Sequence, residues 1–350
     1  TGQALQEYIG RRVSTNIAAD EKMDKLRDET KALFAKLINA TPEEIAYVPT
    51  TMVGENLIVS GLGLPGSRGR VVTDTLHFEA SLYLYGQLAK QGLDLQVVRH
   101  RDNRINLDDL DAAITPGTKL VAVSLVSTVN GFQHDLKAVC DLAHSRGALV
   151  YADIIQAVGA VPIDVRATGV DFCATASYKW LMGDFGLGFL YVRADRLEQL
   201  TRSQYGYRQI ADFTTHTFPF DTPGSTPYDF KAKDDVNGYF QVGTFASGVI
   251  AALRSSLDYI ITTGVQNIQE HRQPLLKKLQ TELPKKGYIP MTPIESTSPV
   301  LAFAYENAHK LKPKLDAAGV EITLYENRFR ISPSVYNDMA DVDKLIAALS

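Results

Sequence analysis

A chain of 350 residues with 36 Lys and Arg against 40 Asp and Glu, a net charge of −4 and 45% hydrophobic content is large enough for two domains, each filling its own core. That balance gives no electrostatic footprint for nucleic acid, and no apolar run reaches the roughly 20 residues needed to cross a bilayer. Two cysteines, Cys140 and Cys173, lie far apart in apolar surroundings, which excludes a disulfide framework and fits a reducing, cytoplasmic compartment.

The chain starts at Thr1 without a methionine, so a leader or initial segment is expected to be missing. Between Ile45 and Val192 short β-branched runs alternate with helix-period segments. Strands are predicted at Ile45–Pro49, Val71–Thr75, Leu95–His100, Leu120–Ser127, Leu149–Asp153, Phe172–Ala176 and Leu187–Val192, with helices at Val53–Leu62, Glu79–Gln91, Leu107–Ala113 and Leu136–Arg146. Crossovers of helical length predict a mostly parallel sheet covered on both faces, and the short link before the seventh strand predicts that it runs antiparallel. From Tyr205 to Val242 the periodicity fades into aromatic, proline and glycine residues, and a loop this long is expected to be a substrate lid. Phe245 to Thr263 reads as one helix stopped by Gly264. Val265 to Leu283, strands near Val300–Tyr305 and Phe329–Ser332, and helices near Leu311–Ala318 and Asp341–Leu349 predict a smaller α+β domain. The expected division is residues 1–250 and 251–350, with residues 1–15 packing on the small domain.

Two residues carry the chemistry. Lys179 ends an apolar strand and precedes the glycine-studded Gly183–Gly188; a lysine there either leaves the strand for solvent or loses hydration, and in the second case its neutral amine becomes a nucleophile suited to Schiff-base formation. Asp153 closes another β-branched run, where carboxylates face a ligand crevice, and the stretch between them has room for one helical crossover. Thr50 to Gly54 joins a strand to a helix start, so its hydroxyls and unpaired N–H groups suit either an anion or an ordinary N-cap. The Gly61–Gly66 run spells G-x-G-x-x-G, but it follows a helix and reads as a helix stop and turn. Cys140, His144 and His134 read as packing residues, and no metal site is expected.

The pattern Asp171, Phe172, Ser177, Lys179, Gly186, Gly188 and Leu190, together with Asp153, resembles the class V aminotransferase group of pyridoxal-phosphate enzymes. That group includes cysteine desulfurases, kynureninases and isopenicillin-N-epimerase-like proteins. The resemblance runs from about Thr41 to the C-terminus and implies the α/β fold type I: a large domain with a mostly parallel seven-stranded sheet and a smaller α+β C-terminal domain. It implies that Lys179 holds pyridoxal 5'-phosphate as a Schiff base and that Asp153 pairs with the pyridine nitrogen. Thr51 and the Met52 amide would hold the phosphate, and Thr244 would reach a phosphate across a homodimer interface. Phe78 would stack on the cofactor ring, with His77 as its hydrogen-bonded neighbour. Gln156 would bond the phenolic oxygen, near Thr128 or Asn130. Tyr178 departs from the histidine of many members, yet its phenol can donate to a phosphate oxygen. Arg330 would clamp the substrate carboxylate, with Arg328 two residues away as the open alternative.

The resemblance implies an amino-acid substrate. An aminotransferase is the first expectation; the second is a kynureninase- or epimerase-like lyase or isomerase, or a cysteine or selenocysteine lyase without a persulfide cysteine. A persulfide-forming desulfurase needs a thiol shortly before the carboxylate-binding arginine, and Val320 to Arg330 has none. A non-catalytic scaffold ranks last, because it has no use for Lys179, Asp153 and Arg330 together.

Overall fold

The computed structural model describes residues 1–14 and 21–350. Its centre is a seven-stranded sheet of β1 (Ile45–Val48), β2 (Arg70–Asp74), β3 (Asp94–Val98), β4 (Thr118–Ser124), β5 (Leu149–Asp153), β6 (Phe172–Ala176) and β7 (Gly188–Val192), in the spatial order β1-β7-β6-β5-β4-β2-β3. Neighbours from β3 through β6 are parallel, while β7 runs antiparallel to both β6 and β1. All seven predicted strands form, the antiparallel seventh included. Side chains alternate between two cores: Val121, Val123, Val150, Ala152 and Cys173 face one, and Leu120, Ala122, Tyr151, Phe172 and Ala174 face the other. Both faces are therefore dry, as parallel pairing requires of strands whose crossovers lie on each side.

A hairpin, β8 (Ile210–Thr215) with β9 (Tyr228–Ala232), occupies the stretch read from sequence as an irregular loop. Its strands are exposed along most of their length, so no buried face imposed the alternation by which a strand is recognised. What orders them is cross-strand pairing, including the Phe213 and Tyr228 rings stacked 5.2 Å apart. The remaining strands, β10 (Ile289–Pro290), β11 (Leu301–Ala304), β12 (Thr323–Leu324) and β13 (Arg328–Ile331), form an antiparallel sheet over a third core around Leu279, Phe303, Phe329 and Leu345.

Two helices tie the cores together. Helix Ser247–Thr263 buries Ile250, Leu253, Leu257 and Ile260 against the large sheet, and Gly264, at φ +84°, turns the chain into helix Val265–Glu282. The latter places Ile268 in the large core and Leu275, Leu276 and Leu279 in the small one. The N-terminal helix Gly2–Ser14 lies across Ser247–Thr263, with Leu5 and Tyr8 pressed on Gly248 and Thr1 Oγ1 2.8 Å from Ser256 Oγ. Among the described residues no helix is long and apolar enough to cross a membrane, and none of their His, Cys, Asp and Glu side chains cluster as a metal site.

Candidate active site

Parallel strands end on one edge of the sheet, and their last residues form the base of a cavity. Ser124 closes β4 and Asp153 closes β5, and the two are direct register partners. Eight of the residues singled out from sequence line this one cavity: Thr51, Met52, Phe78, Thr128, Asp153, Gln156, Tyr178 and Lys179.

At one end stands helix Thr51–Gly61. Thr50, not Thr51, is its N-cap, with the Thr50 hydroxyl accepting from Val53 N at 3.1 Å. Thr51 Oγ1 is thereby left buried and without a partner, beside backbone N–H groups of the first turn that no helical carbonyl can satisfy. An orphan hydroxyl at the positive end of a helix suits an anion. Gly54 lets this helix lie close to β6: a Cβ there would sit 2.8 Å from Ala174 Cβ.

Asp153 is 3% exposed, and its Oδ1 accepts from Ile155 N at 2.9 Å. Burial pushes its carboxyl up to about 6, against the Ile155 amide, His77 and Lys179, which favour the anion. The Lys179 amine is held below its usual range by burial, with the Arg330 guanidinium pressing the same way and Asp153 opposing. Each group is costly to charge where it stands, and a cationic ring nitrogen and a carbonyl are the partners that would relieve them.

The opposite wall is a hydrogen-bonded chain. Gln156 Nε2 donates to Thr128 Oγ1 at 3.0 Å, and Arg330 Nη1 donates to the Thr128 carbonyl at 3.0 Å and to its hydroxyl. Thr128 thus faces the cavity, whereas Asn130 turns away to the carbonyls of Asn103 and Met291. Arg330 is drawn to the cavity rim, while Arg328 stacks on Tyr325 with its guanidinium carbon 4.1 Å from the ring centroid. Tyr178 stacks on Phe185 at 4.8 Å. Thr244 is not brought to this cavity: it is exposed, 3.3 Å from the Tyr207 hydroxyl, and lines a separate hollow with Gly186 and Phe245.

Sequence reasoning placed His77 and Trp180 beside the cavity but did not find Glu55 or Ser124. Trp180 Nε1 donates to Gln156 Oε1 at 3.2 Å, so this indole orients the Gln156 amide. Glu55, fully buried, accepts from Ser81 Oγ at 2.6 Å and from Tyr85 OH at 2.9 Å, and lies 3.4 Å from His77 Nε2. His77 Nδ1 is 2.8 Å from Ser124 Oγ. The available signal was an acid on an apolar helix, Glu55 beside Leu57 and Ile58, since such an acid requires buried partners.

The family model for aminotransferase class-V matches residues 1–345. A cysteine desulfurase of Escherichia coli (strain K12 / DH10B) is 28% identical, covering 95% of this chain and 82% of its own length. A probable cysteine desulfurase of Methanothermobacter thermautotrophicus is 28% identical over 75% of this chain, which spans only 62% of that relative. Among solved structures, the apo cysteine desulfurase of Thermococcus onnurineus NA1 superposes with a TM-score of 0.85 at 23% identity, covering 99% of this chain and 89% of that one. The cystine C-S lyase C-DES, in complex with its product cysteine persulfide, superposes with a TM-score of 0.87 at 18% identity, covering 99% and 92%. These likenesses show the fold, and the whole-chain match shows the membership: the chain is an enzyme of the class-V aminotransferase family, whose cofactor is pyridoxal phosphate.

Proposed function

We propose that this enzyme removes the α-proton of an amino acid and transfers its amino group to a keto-acid acceptor. The observation that carries the reading is one cavity holding a desolvated amine, Lys179, a buried carboxylate, Asp153, and an orphan hydroxyl, Thr51, at a helix N-terminus, with Arg330 at its rim. When bound, pyridoxal phosphate supplies a carbonyl for an amine and an electron-accepting ring. Thr51, the Met52 amide and Tyr178 hold its phosphate, and Asp153 keeps the ring nitrogen protonated. Gln156 and Thr128 bond its phenolic oxygen, and Phe78 covers the ring and excludes water. Arg330 orients the substrate carboxylate, and Lys179, whose amine burial holds below its usual range, takes and returns the proton at the α-carbon. Residues 1–250 form the cofactor-binding domain and 251–350 the small domain, and Thr244, exposed on this chain, serves the partner's site in a homodimer.

A second reading is β-elimination with direct release of the leaving group. The relatives named above are cysteine desulfurases, one structural neighbour is a cystine C-S lyase, and the two thiols of this chain are both buried. Burial pushes Cys140 up to about 12 and Cys173 well above its usual range, so neither can accept sulfur as a thiolate. The test is borohydride trapping of cofactor on the Lys179 peptide, lost in Lys179→Ala, followed by an amino-acid screen with and without a keto acid. Turnover that needs the acceptor supports transfer; turnover without it supports elimination; a protein that takes up no cofactor refutes both.

A further inference from the structure

Behind the cavity lies a group of buried polar residues that the chemistry above does not use. Glu55, 0% exposed, has its two oxygens engaged by the Ser81 and Tyr85 hydroxyls and stands 3.4 Å from His77 Nε2. His77, 1% exposed, presents Nδ1 to Ser124 Oγ at 2.8 Å. Ser124 lines the cavity and is the register partner of Asp153 on the adjacent strand. With a hydroxyl at each oxygen, the Glu55 site has the two donors that suit a carboxylate, and a carboxylate beside a buried imidazole calls for a cation there. With both ring nitrogens protonated, His77 donates to Ser124, so the serine hydroxyl must send its own proton elsewhere. Among the described residues Ser124 Oγ has no second partner, and the open direction is the cavity.

We propose, resting on the function read above, that Glu55 and His77 form a buried ion pair that obliges Ser124 to donate into the cavity beside Asp153. The three residues then act as a positioning unit that keeps the Asp153 carboxylate ionised against a cationic ring nitrogen. The surrounding charges are consistent with it. Burial depresses the His77 imidazole, but Glu55, Asp74 and Asp153 outweigh it and hold His77 above its usual range. Asp74, the remaining acid on that side, is engaged by His134 Nε2 at 3.2 Å and by Leu76 N at 2.7 Å. Facing Asp153 are His77 and Lys179, which favour its anion, and Glu55, which opposes it less than His77 supports it. Loss of Glu55 therefore neutralises His77 and makes Asp153 easier to protonate.

Two measurements test the proposal. In the apo-protein, imidazole nitrogen NMR with His77→Gln for assignment reads the His77 charge without any cofactor. His77 is expected to carry both protons at about pH 8 in the parent and to lose one in Glu55→Gln. In the holoenzyme, the dissociation constant for pyridoxal phosphate is measured across pH. In Ser124→Ala and Glu55→Gln the acid-side loss of affinity moves up by about one pH unit, roughly a tenfold weakening on that limb, and Ser124→Thr keeps the parent limb. A merely structural role would weaken binding equally at every pH. That uniform loss, or a neutral His77 in the parent at pH 8, overturns the proposal and leaves the proposed function standing. A parent protein that binds no pyridoxal phosphate overturns both.

Discussion

Asp153→Asn is expected to stabilise the apo-protein while disabling the holoenzyme. The carboxyl rises from its ordinary 3.8 to about 6 on burial, a value that already includes the favourable fields of His77 and Lys179. That rise means that ionising Asp153 in the folded apo-protein costs about 3 kcal/mol more than in the unfolded chain. The folded state binds this proton more tightly, so stability declines as pH climbs from about 4 to 6 and is flat above. Asparagine removes the charge and keeps an oxygen to accept from Ile155 N, now at 2.9 Å from Oδ1. The variant should therefore exceed the parent by about 3 kcal/mol at pH 8 and by about half that at pH 5. Urea unfolding of both apo-proteins, followed by the fluorescence of Trp180, the single tryptophan, gives the comparison. Activity of the reconstituted variant should fall by more than about 100-fold, the usual opposition of stability and function at a strained site. A variant no more stable than the parent at pH 8, or a difference that ignores pH, would refute the argument that desolvation dominates at Asp153.

Arg330→Lys should lower kcat/KM for the amino acid by about 100-fold, mostly through KM, because an ammonium cannot replace a bidentate fork; Arg328→Lys should stay within about threefold, and the reverse ranking would exchange their roles. Gly54→Ala should lower Tm despite a helix-propensity gain of about 1 kcal/mol, because its Cβ meets Ala174 Cβ at 2.8 Å and overpacking costs about 1–3 kcal/mol. A rise in Tm would show that the helix can shift. Asp171 is fully buried, bonded to His144 at 2.7 Å, Arg196 at 2.7 Å and Val150 N at 2.8 Å, and these partners outweigh burial to hold its carboxyl below the usual range. Asp171→Asn should cost about 3 kcal/mol at neutral pH, because it leaves the Arg193 and Arg196 guanidinium groups short of their anionic partner, and the gap should close as acid protonates the parent carboxyl. A gap that persists in acid would assign the loss to packing.

Six strands of the large sheet were legible because each is buried along nearly all its length and reads as an apolar run bounded by turns, while the edge strand β3, with Asp94 and Gln96 exposed, was legible from its β-branched end at Val97 and Val98. The hairpin Ile210–Thr215 with Tyr228–Ala232 was not, because its strands pair only with each other and carry no core-facing stripe. In the same way the two-residue strands Ile289–Pro290 and Thr323–Leu324 are too short to show a period. Phe78 was separable from His77 in advance as a choice between two neighbours, and the structure lines the cavity with Phe78 while burying His77 behind it.

By itself the sequence determined which chemistry the chain can hold: an amine and a carboxylate each at the end of a buried strand, a hydroxyl pair at a helix start, and an arginine on a late strand. Those are local facts, since strand ends and helix starts are set by neighbouring residues. Only the tertiary structure decided that Thr50 caps the helix and frees Thr51, that Arg330 and not Arg328 reaches Thr128, and that Glu55, His77 and Ser124 stand in line behind Asp153. These depend on which elements lie side by side. Residues far apart in the chain meet there because the crossover order of the strands, not their sequence separation, sets the distance between side chains.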